Sequence, residues 1–168
     1  LITYYSLLFT PHFSLHPPTG YHNLMTFLTS LSQPNKLILD GATGTELNRR
    51  GVDTGLPLWS ANALMNDRDA KILQQIHEDY LRAGADIITT NTFRTHRRAL
   101  APSGYADRAF ELTRRAVDIA RAAIANVPSD KPRFVAGSIS TLEDCYRPDL
   151  VPADDELRAE HSERVHHL

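Results

Sequence analysis

An acidic side chain and two hydroxyl side chains lie in a glycine-containing turn that directly follows a short apolar run. The turn reads Asp-Gly-Ala-Thr-Gly-Thr-Glu-Leu from Asp40 onward. Gly41 and Gly44 would let backbone N–H groups approach an anionic ligand group closely, Thr43 and Thr45 offer hydroxyls, and Asp40 could accept hydrogen bonds from an ammonium group. These residues predict a binding site for a small polar ligand. A tight turn in which Thr43 or Thr45 caps a helix explains them at least as well.

Polar residues also follow two later apolar runs. After the second run, the amide of Asn91 and the hydroxyl of Thr92 could orient a polar substrate, with Phe93 as an apolar wall. After the third run, Ser138 places a hydroxyl at the same level of the fold. Satisfied turns would account for these residues as well, so the three positions carry more weight together than separately.

The spacing of the glycines excludes the common nucleotide-binding loops. A dinucleotide fingerprint requires Gly-x-Gly-x-x-Gly, and a phosphate-binding loop requires Gly-Lys-Ser/Thr after four intervening residues. Gly41 and Gly44 are separated by two residues and satisfy neither pattern.

The elements that must position these residues alternate between strands and helices. Short apolar, partly β-branched runs predict buried strands at residues 37–39, 85–90 and 134–139. Helical spacing of apolar residues predicts helices at about 67–83 and 106–125 and from 154 to the end. Asp67 is a candidate N-cap of the first helix, and Gly84 is placed as a C-terminal glycine. This alternation predicts an α/β fold with a parallel sheet, in which ligands bind at the carboxyl ends of the strands.

Composition narrows the class of protein. The 168 residues are 42% hydrophobic, and 18 basic and 20 acidic side chains give a formal net charge of −2. This balance favours neither nucleic acid nor an anionic membrane as a partner, and no apolar stretch is long enough to span a bilayer. The single cysteine, Cys145, excludes an internal disulfide framework and a four-cysteine zinc site, and it favours a reducing, cytoplasmic setting.

The chain divides into two parts. Residues 1–35 lack a regular pattern and are predicted to form a poorly ordered N-terminal extension, because the apolar start has no basic leader or small-residue cleavage site. Residues 36–168 are predicted to form the α/β domain.

The ordered set of motifs resembles the homocysteine S-methyltransferase family. The set comprises Asp-Gly-x-x-Gly-Thr-x-Leu from Asp40, His-x-x-Tyr-x-x-Ala-Gly-Ala-Asp from His77, Thr-Asn-Thr-Phe from Thr90 and Gly-Ser-Ile from Gly137. The resemblance covers residue 37 to the C-terminus and includes Trp59, which would wall the substrate pocket or pack in the core. It implies that the chain supplies the first three strand–helix units of a truncated (β/α)8 TIM barrel, since a complete barrel takes roughly 250 residues.

The resemblance also implies the reaction and a cofactor. The family transfers a methyl group from an activated donor to homocysteine, giving methionine; the simpler family members suggest S-methylmethionine or S-adenosylmethionine as the donor. Family members hold zinc through three cysteines in Gly-x-Asn-Cys-like and Gly-Gly-Cys-Cys-like segments, and this sequence contains neither segment. Zinc would deprotonate the thiol of homocysteine. The residues present would bind the amino-acid end of homocysteine, and we assign no catalytic residue or metal ligand among them.

Two rival interpretations remain. The chain could be a non-catalytic truncated product, whose open sheet edge would favour aggregation or partner association, or it could be a small, complete α/β ligand-binding domain. Cys145 matches none of the ligand motifs. His161, His166 and His167 do not present a pair of metal ligands on one helix face. The oligomeric state is not readable from the sequence.

Overall fold

A computed structural model describes residues 19–34, 36–143 and 146–168. Its α-helices are α1 (Thr19–Ser32), α2 (Thr43–Arg49), α3 (Asp67–Ala83), α4 (Arg97–Leu100), α5 (Ala109–Asn126) and α6 (Asp154–His167). Its strands are β1 (Ile87–Thr89) and β2 (Phe134–Ala136). Short 3-10 turns occupy Trp59–Leu64, Ala101–Ser103, Ala106–Arg108 and Pro148–Leu150. The predicted α/β class is thus observed as helices around a small parallel sheet.

The sheet is parallel, as predicted. Ile87, Ile88 and Thr89 of β1 lie opposite residues 134–136 of β2, in register. The predicted first strand at residues 37–39 is reduced to one parallel bridge, between Leu39 and Ile87. The two longer strands predicted at residues 85–90 and 134–139 are likewise limited to three residues each.

Side chains replace part of the backbone pairing between residues 37–40 and β1, which explains why the first strand is reduced to one bridge. The Asp86 carboxylate accepts a hydrogen bond from the Ile38 N–H at 2.9 Å. The Asp40 carboxylate accepts one from the Thr89 N–H, also at 2.9 Å. Both backbone N–H groups are therefore bonded to carboxylates and not to the carbonyls of a neighbouring strand, and a pattern of apolar residues does not predict this.

Two long helices pack against one face of the sheet. Leu81 of α3 and Ala120 and Ala123 of α5 form a buried cluster with Ile88 of β1. The bounds of α3 agree with the prediction, and Gly84 ends it with φ 108°, a left-handed conformation that favours glycine. The N-cap is Asn66 and not the predicted Asp67, since the Asn66 side chain accepts a hydrogen bond from the Asp69 N–H.

Helix α1 covers the opposite face of the sheet. Side chains alternate between faces along a strand, so Ile87 points away from the α3–α5 layer that contacts Ile88. Ile87 forms a buried cluster with Phe27 of α1 and Phe134 of β2. The sequence predicted a poorly ordered extension over residues 1–35, whereas the structure describes a helix over Thr19–Ser32; residues 1–18 lie outside the described residues.

The described ranges contain no helix that combines the length and the apolarity needed to cross a bilayer.

Candidate functional site

A cleft of about 540 Å³ lies at the carboxyl ends of β1, of β2 and of the segment at residues 37–39, which pairs with β1 through one bridge. Of the ten residues predicted as site residues, those that line it are Asp40, Gly41, Thr43, Gly44, Thr45, Trp59, Asn91, Phe93 and Ser138. Residues that were not predicted as site residues also line it: Leu39, Ala42, Ser60, Thr89 and Thr90. The parallel sheet brings these segments together because all its strands end at the same edge.

Asp40 is held in place by Thr89. One carboxylate oxygen accepts the Thr89 N–H at 2.9 Å, and the other accepts the Thr89 hydroxyl at 2.7 Å. Burial raises the pKa of Asp40 above its ordinary value, and the bonds from Thr89 oppose this shift. Each carboxylate oxygen can still accept a further hydrogen bond, so the geometry suits a ligand ammonium group that would also compensate the buried charge.

The two glycines of the first turn are required for close packing. A Cβ atom on Gly41 would lie 2.8 Å from the Tyr80 ring, and one on Gly44 would lie 2.6 Å from the indole of Trp59. The Tyr80 hydroxyl donates to the Ala42 carbonyl at 3.2 Å, which fixes the turn from below. The glycines were predicted to allow the approach of a ligand, whereas in the structure they admit two aromatic rings.

An aromatic pair forms one wall of the cleft. The rings of Trp59 and Phe93 meet edge to face, with centroids 5.9 Å apart. Trp59 has φ 49°, an uncommon backbone conformation for a residue with a bulky side chain. Its backbone N–H donates to the Gly55 carbonyl at 2.8 Å. Arg94 donates to the Pro57 carbonyl at 3.0 Å and ties the Trp59 loop to the segment that carries Phe93.

Asn91 and Thr92 have structural partners. The Asn91 amide nitrogen donates to the Ser60 carbonyl at 2.8 Å, so Asn91 joins the second strand end to the Trp59 turn. Thr92, in contrast, does not line the cleft: its hydroxyl donates to the Ser138 carbonyl at 2.7 Å and accepts from the Ser138 N–H at 3.1 Å. The Thr92 hydroxyl has one proton, and it is donated to Ser138. In the 2.8 Å contact between the Thr90 and Thr92 hydroxyls, Thr90 is therefore the donor.

Thr89 and Thr90 line the cleft but were not predicted as site residues, although the sequence around them gave a reason to include them. Both belong to the hydroxyl-rich run that precedes Asn91, but the strand prediction absorbed them because threonine is favoured in strands. Ser60 contributes its backbone carbonyl, and no residue type predicts that role.

The described residues do not fit a metal ion. Within the ranges 19–34, 36–143 and 146–168, no group of three or more His, Cys, Asp or Glu side chains is arranged to hold one. The His166 ring contacts the Ser162 carbonyl, and the His167 ring packs on Phe110. The interpretation of Cys145 concerns a residue outside the described ranges.

Comparisons with known proteins agree with this architecture. The homocysteine S-methyltransferase family model matches residues 37–168. The chain is 32% identical over 154 residues to homocysteine S-methyltransferase of Escherichia coli, covering 82% of this chain and 47% of that protein. It is 41% identical over 87 residues to selenocysteine methyltransferase of Astragalus bisulcatus, covering 51% of this chain and 25% of that protein.

A solved structure shows the same arrangement of elements. The crystal structure of the homocysteine methyltransferase MmuM from Escherichia coli, in its metallated form, superposes with a TM-score of 0.74 at 30% identity. The superposition covers 85% of this chain and 53% of that one, so this chain spans about half or less of the length of these three relatives. Because the family match extends over residues 37–168, the chain belongs to the homocysteine S-methyltransferase family.

Proposed function

We propose that this chain forms the homocysteine-binding part of an enzyme that transfers a methyl group from an activated donor to homocysteine. The observation that carries the proposal is the convergence of the three predicted strand ends on one cleft in a member of this family. The expected (β/α)8 barrel, of which this chain would supply the first three strand–helix units, is part of the same proposal. The parallel register and the superposition on about half of a homocysteine methyltransferase support it.

In this proposal Asp40 binds the amino-acid end of homocysteine. Its carboxylate is oriented by two hydrogen bonds from Thr89 and would accept one from the ligand ammonium. Thr43 and Thr45 line the same cleft, and their hydroxyls would contact the ligand carboxylate. The aliphatic part of homocysteine would then extend along the aromatic wall formed by Trp59 and Phe93.

The reaction requires the sulfur of homocysteine as a thiolate, since a thiol is a weak nucleophile. A thiolate lone pair forms the new bond to the methyl carbon. The bond between that carbon and the donor sulfonium breaks, and its electron pair returns the donor sulfur to a neutral thioether. The ring faces of Trp59 and Phe93 offer a cation–π surface for a sulfonium such as that of S-methylmethionine or S-adenosylmethionine.

Zinc stays an expectation of the family resemblance. The family's cysteine segments are absent from residues 1–168, and the described side chains do not fit a metal ion. We therefore derive no step through zinc, and the contribution assigned to this chain is binding and orientation. We also propose a cytoplasmic location, because a sequence with a single cysteine favours a reducing setting.

Calorimetric titration of the purified chain with L-homocysteine under reducing conditions tests the proposal. We expect saturable binding, weakened about ten- to one-hundred-fold by Asp40→Asn, because one charge-assisted hydrogen bond contributes roughly 1.5–3 kcal/mol. Asp107→Asn, which alters a fully exposed carboxylate away from the cleft, is the matched control. Absence of binding by the folded wild-type chain, or equal affinity in Asp40→Asn, would contradict the proposal.

A further inference from the structure

The first segment of the sheet, residues 37–40, carries Asp40 but has few backbone hydrogen bonds to β1. Its pairing consists of one parallel bridge, between Leu39 and Ile87. The Ile87 N–H donates to the Ile38 carbonyl at 3.1 Å, and the Asp40 N–H donates to the Ile87 carbonyl at 3.0 Å. A slip of one residue would turn every side chain of the segment to the other face, so contacts beyond this bridge are needed to hold its register.

Asp86 contacts both backbone polar groups of Ile38. Its carboxylate accepts the Ile38 N–H at 2.9 Å, and its own backbone N–H donates to the Ile38 carbonyl at 2.8 Å. The Asp86 carbonyl also accepts the Phe134 N–H at 2.9 Å. Asp86 therefore joins the first segment to the starts of β1 and β2, at the end of the sheet opposite the cleft.

Asp40 makes the mirrored contact at the other end of the bridge. Asp86 precedes β1 and accepts an N–H of the first segment, whereas Asp40 ends the first segment and accepts the Thr89 N–H of β1. The two bonds differ in their surroundings, because Asp40 lines the cleft and Asp86 does not. A ligand that bonds to the Asp40 carboxylate would therefore leave the bond between Asp86 and Ile38 in place.

We propose that Asp86 is a positioning residue of the homocysteine site, which fixes the register of the first segment on β1 and thereby holds the Asp40 carboxylate beside Thr89. Asp86 would not contact the ligand, since it acts through the backbone of Ile38, two residues before Asp40. The inference rests on the proposed function where it assigns Asp40 to the ligand ammonium. The register itself requires no ligand and can be measured separately.

Hydrogen exchange of single backbone amides, followed by NMR without ligand, measures the register. The Thr89 N–H is bonded to Asp40 and not to Asp86, so it reports on the far end of the first segment. We expect Asp86→Ala to speed exchange at Thr89 at least about tenfold, because Asp40 would no longer be held beside it. Asp86→Asn keeps an acceptor oxygen and should restore exchange close to that of wild type. Unchanged exchange at Thr89 in Asp86→Ala would overturn the inference.

Calorimetric titration with L-homocysteine measures the effect on the site. Asp86→Ala should weaken binding about three- to tenfold, less than the loss expected for Asp40→Asn, because the carboxylate is misplaced and not removed. Asp86→Asn should recover most of the affinity. A purely structural role would lower the stability of the chain without changing the affinity of its folded form, so wild-type affinity in folded Asp86→Ala would contradict positioning.

A double-mutant cycle shows whether Asp86 acts through Asp40. In the Asp40→Asn background, adding Asp86→Ala should weaken binding by less than about twofold, because the carboxylate that Asp86 positions is already absent. Fully additive effects of the two substitutions would overturn the inference, since Asp86 would then act by another route.

Asp155→Ala is the matched control. Asp155 also accepts a backbone N–H at 2.9 Å, that of Glu156, but it lies on the exposed start of α6, so neither exchange at Thr89 nor affinity should change. If Asp86→Ala does not fold, Asp86→Ser replaces it and should show the same two effects, because the serine oxygen lies one bond closer to the backbone. If the wild-type chain does not bind L-homocysteine, the proposed function fails, and exchange at Thr89 decides alone whether Asp86 fixes the register.

Discussion

His77 is a buried imidazole with no hydrogen-bond partner on either ring nitrogen among the described residues. It is 0% exposed on the sheet-facing helix α3, and burial lowers its pKa from 6.5 to about 4. A neutral ring is tolerated there, whereas a protonated ring would be a buried charge without a counter-ion. The motif that begins at His77 helped to identify the family, yet the side chain lies in the core and does not line the cleft at the strand ends.

The folded state should therefore lose stability in acid. Because the unfolded chain takes up a proton on His77 near pH 6.5 and the folded chain only near pH 4, the contribution is complete above pH 6.5 and is lost as the pH falls towards 4. At roughly 1.4 kcal/mol per pKa unit, the full difference is about 3.5 kcal/mol, and about 2 kcal/mol of it falls between about pH 7 and about pH 5. Urea unfolding of wild type and His77→Leu at these two pH values measures that part, and we expect a smaller pH dependence in the variant.

The control is a neighbouring apolar exchange, Ile76→Leu, which leaves His77 in place and should keep the pH dependence of the wild type. Some dependence should remain in His77→Leu, because the pKa of buried His96 is also lowered. A His77→Leu variant with the full pH dependence of wild type would show that this residue is not its source.

Residue types predicted which side chains lie together better than they predicted the contacts of each one. Asp40 and Phe93 line the cleft because polar and aromatic residues at strand ends meet at one edge of a parallel sheet. Thr92 is also a polar residue at a strand end, but its hydroxyl is hydrogen-bonded to the backbone of Ser138. The positive φ of Trp59 and the contact of its indole with Gly44 depend on tertiary packing, which a local pattern does not contain.

At the scale of elements, boundaries set by local chemistry were predictable. Helix α3 ends where Gly84 adopts a left-handed conformation, and both bounds of α3 follow from its sequence. Helix α5 starts three residues later than predicted, since Ala106–Arg108 forms a 3-10 turn before the helix. Helix α1 could not be predicted from local pattern because its anchor, Phe27, packs on Phe134, a residue remote in sequence.

Helix α1 should depend on the packing of Phe27 against the sheet. Phe27 is 3% exposed, and its ring meets Phe134 edge to face with centroids 5.0 Å apart. Phe27→Ala should lower the free energy of unfolding by about 3 kcal/mol, the lower end of the range for buried phenylalanines. It should also speed hydrogen exchange across α1, because the helix would lose the packing of this buried ring on the sheet.

Leu28→Ala is the matched control for α1. Leu28 is the next residue along the helix and is 49% exposed, so its truncation should cost less than about 1 kcal/mol. If the two variants were equally stable, the packing of α1 on the sheet would not contribute to the fold.

At the scale of the whole molecule, the sheet places the cleft at one of its edges. Helices α3 and α5 cover one face and α1 covers the other, so the carboxyl ends of the strands are the part of the sheet left for ligands. The segments that follow β1 and β2 line the cleft at this edge. Helix α6 comes after the second of these segments, and its Arg164 donates to the Ser140 carbonyl within that segment.

The docking of α6 relies on charge more than on apolar contact. Its one buried residue is Arg164, which donates to the Ser140 carbonyl at 2.5 Å. Arg98, from α4, binds Glu160 of α6 at 2.7 Å and also pairs with Glu156 of the same helix. Arg97 binds Glu163 at 2.7 Å, so two neighbouring arginines hold successive turns of α6.

Arg98→Gln should therefore loosen α6 while leaving the rest of the chain intact. The substitution removes the cation that Glu143, Glu156 and Glu160 share, and their carboxylates would then repel one another. Hydrogen–deuterium exchange should accelerate within α6 but not within α3 or α5, and wild-type α6 should exchange faster at high salt, which screens ion pairs. Arg115→Gln, which removes the pair between α5 and Asp67, is the control and should leave α6 unchanged. Equal protection of α6 in wild type and Arg98→Gln at low salt would mean that apolar contacts, such as that of buried Leu168 with Gly137, hold this helix in place.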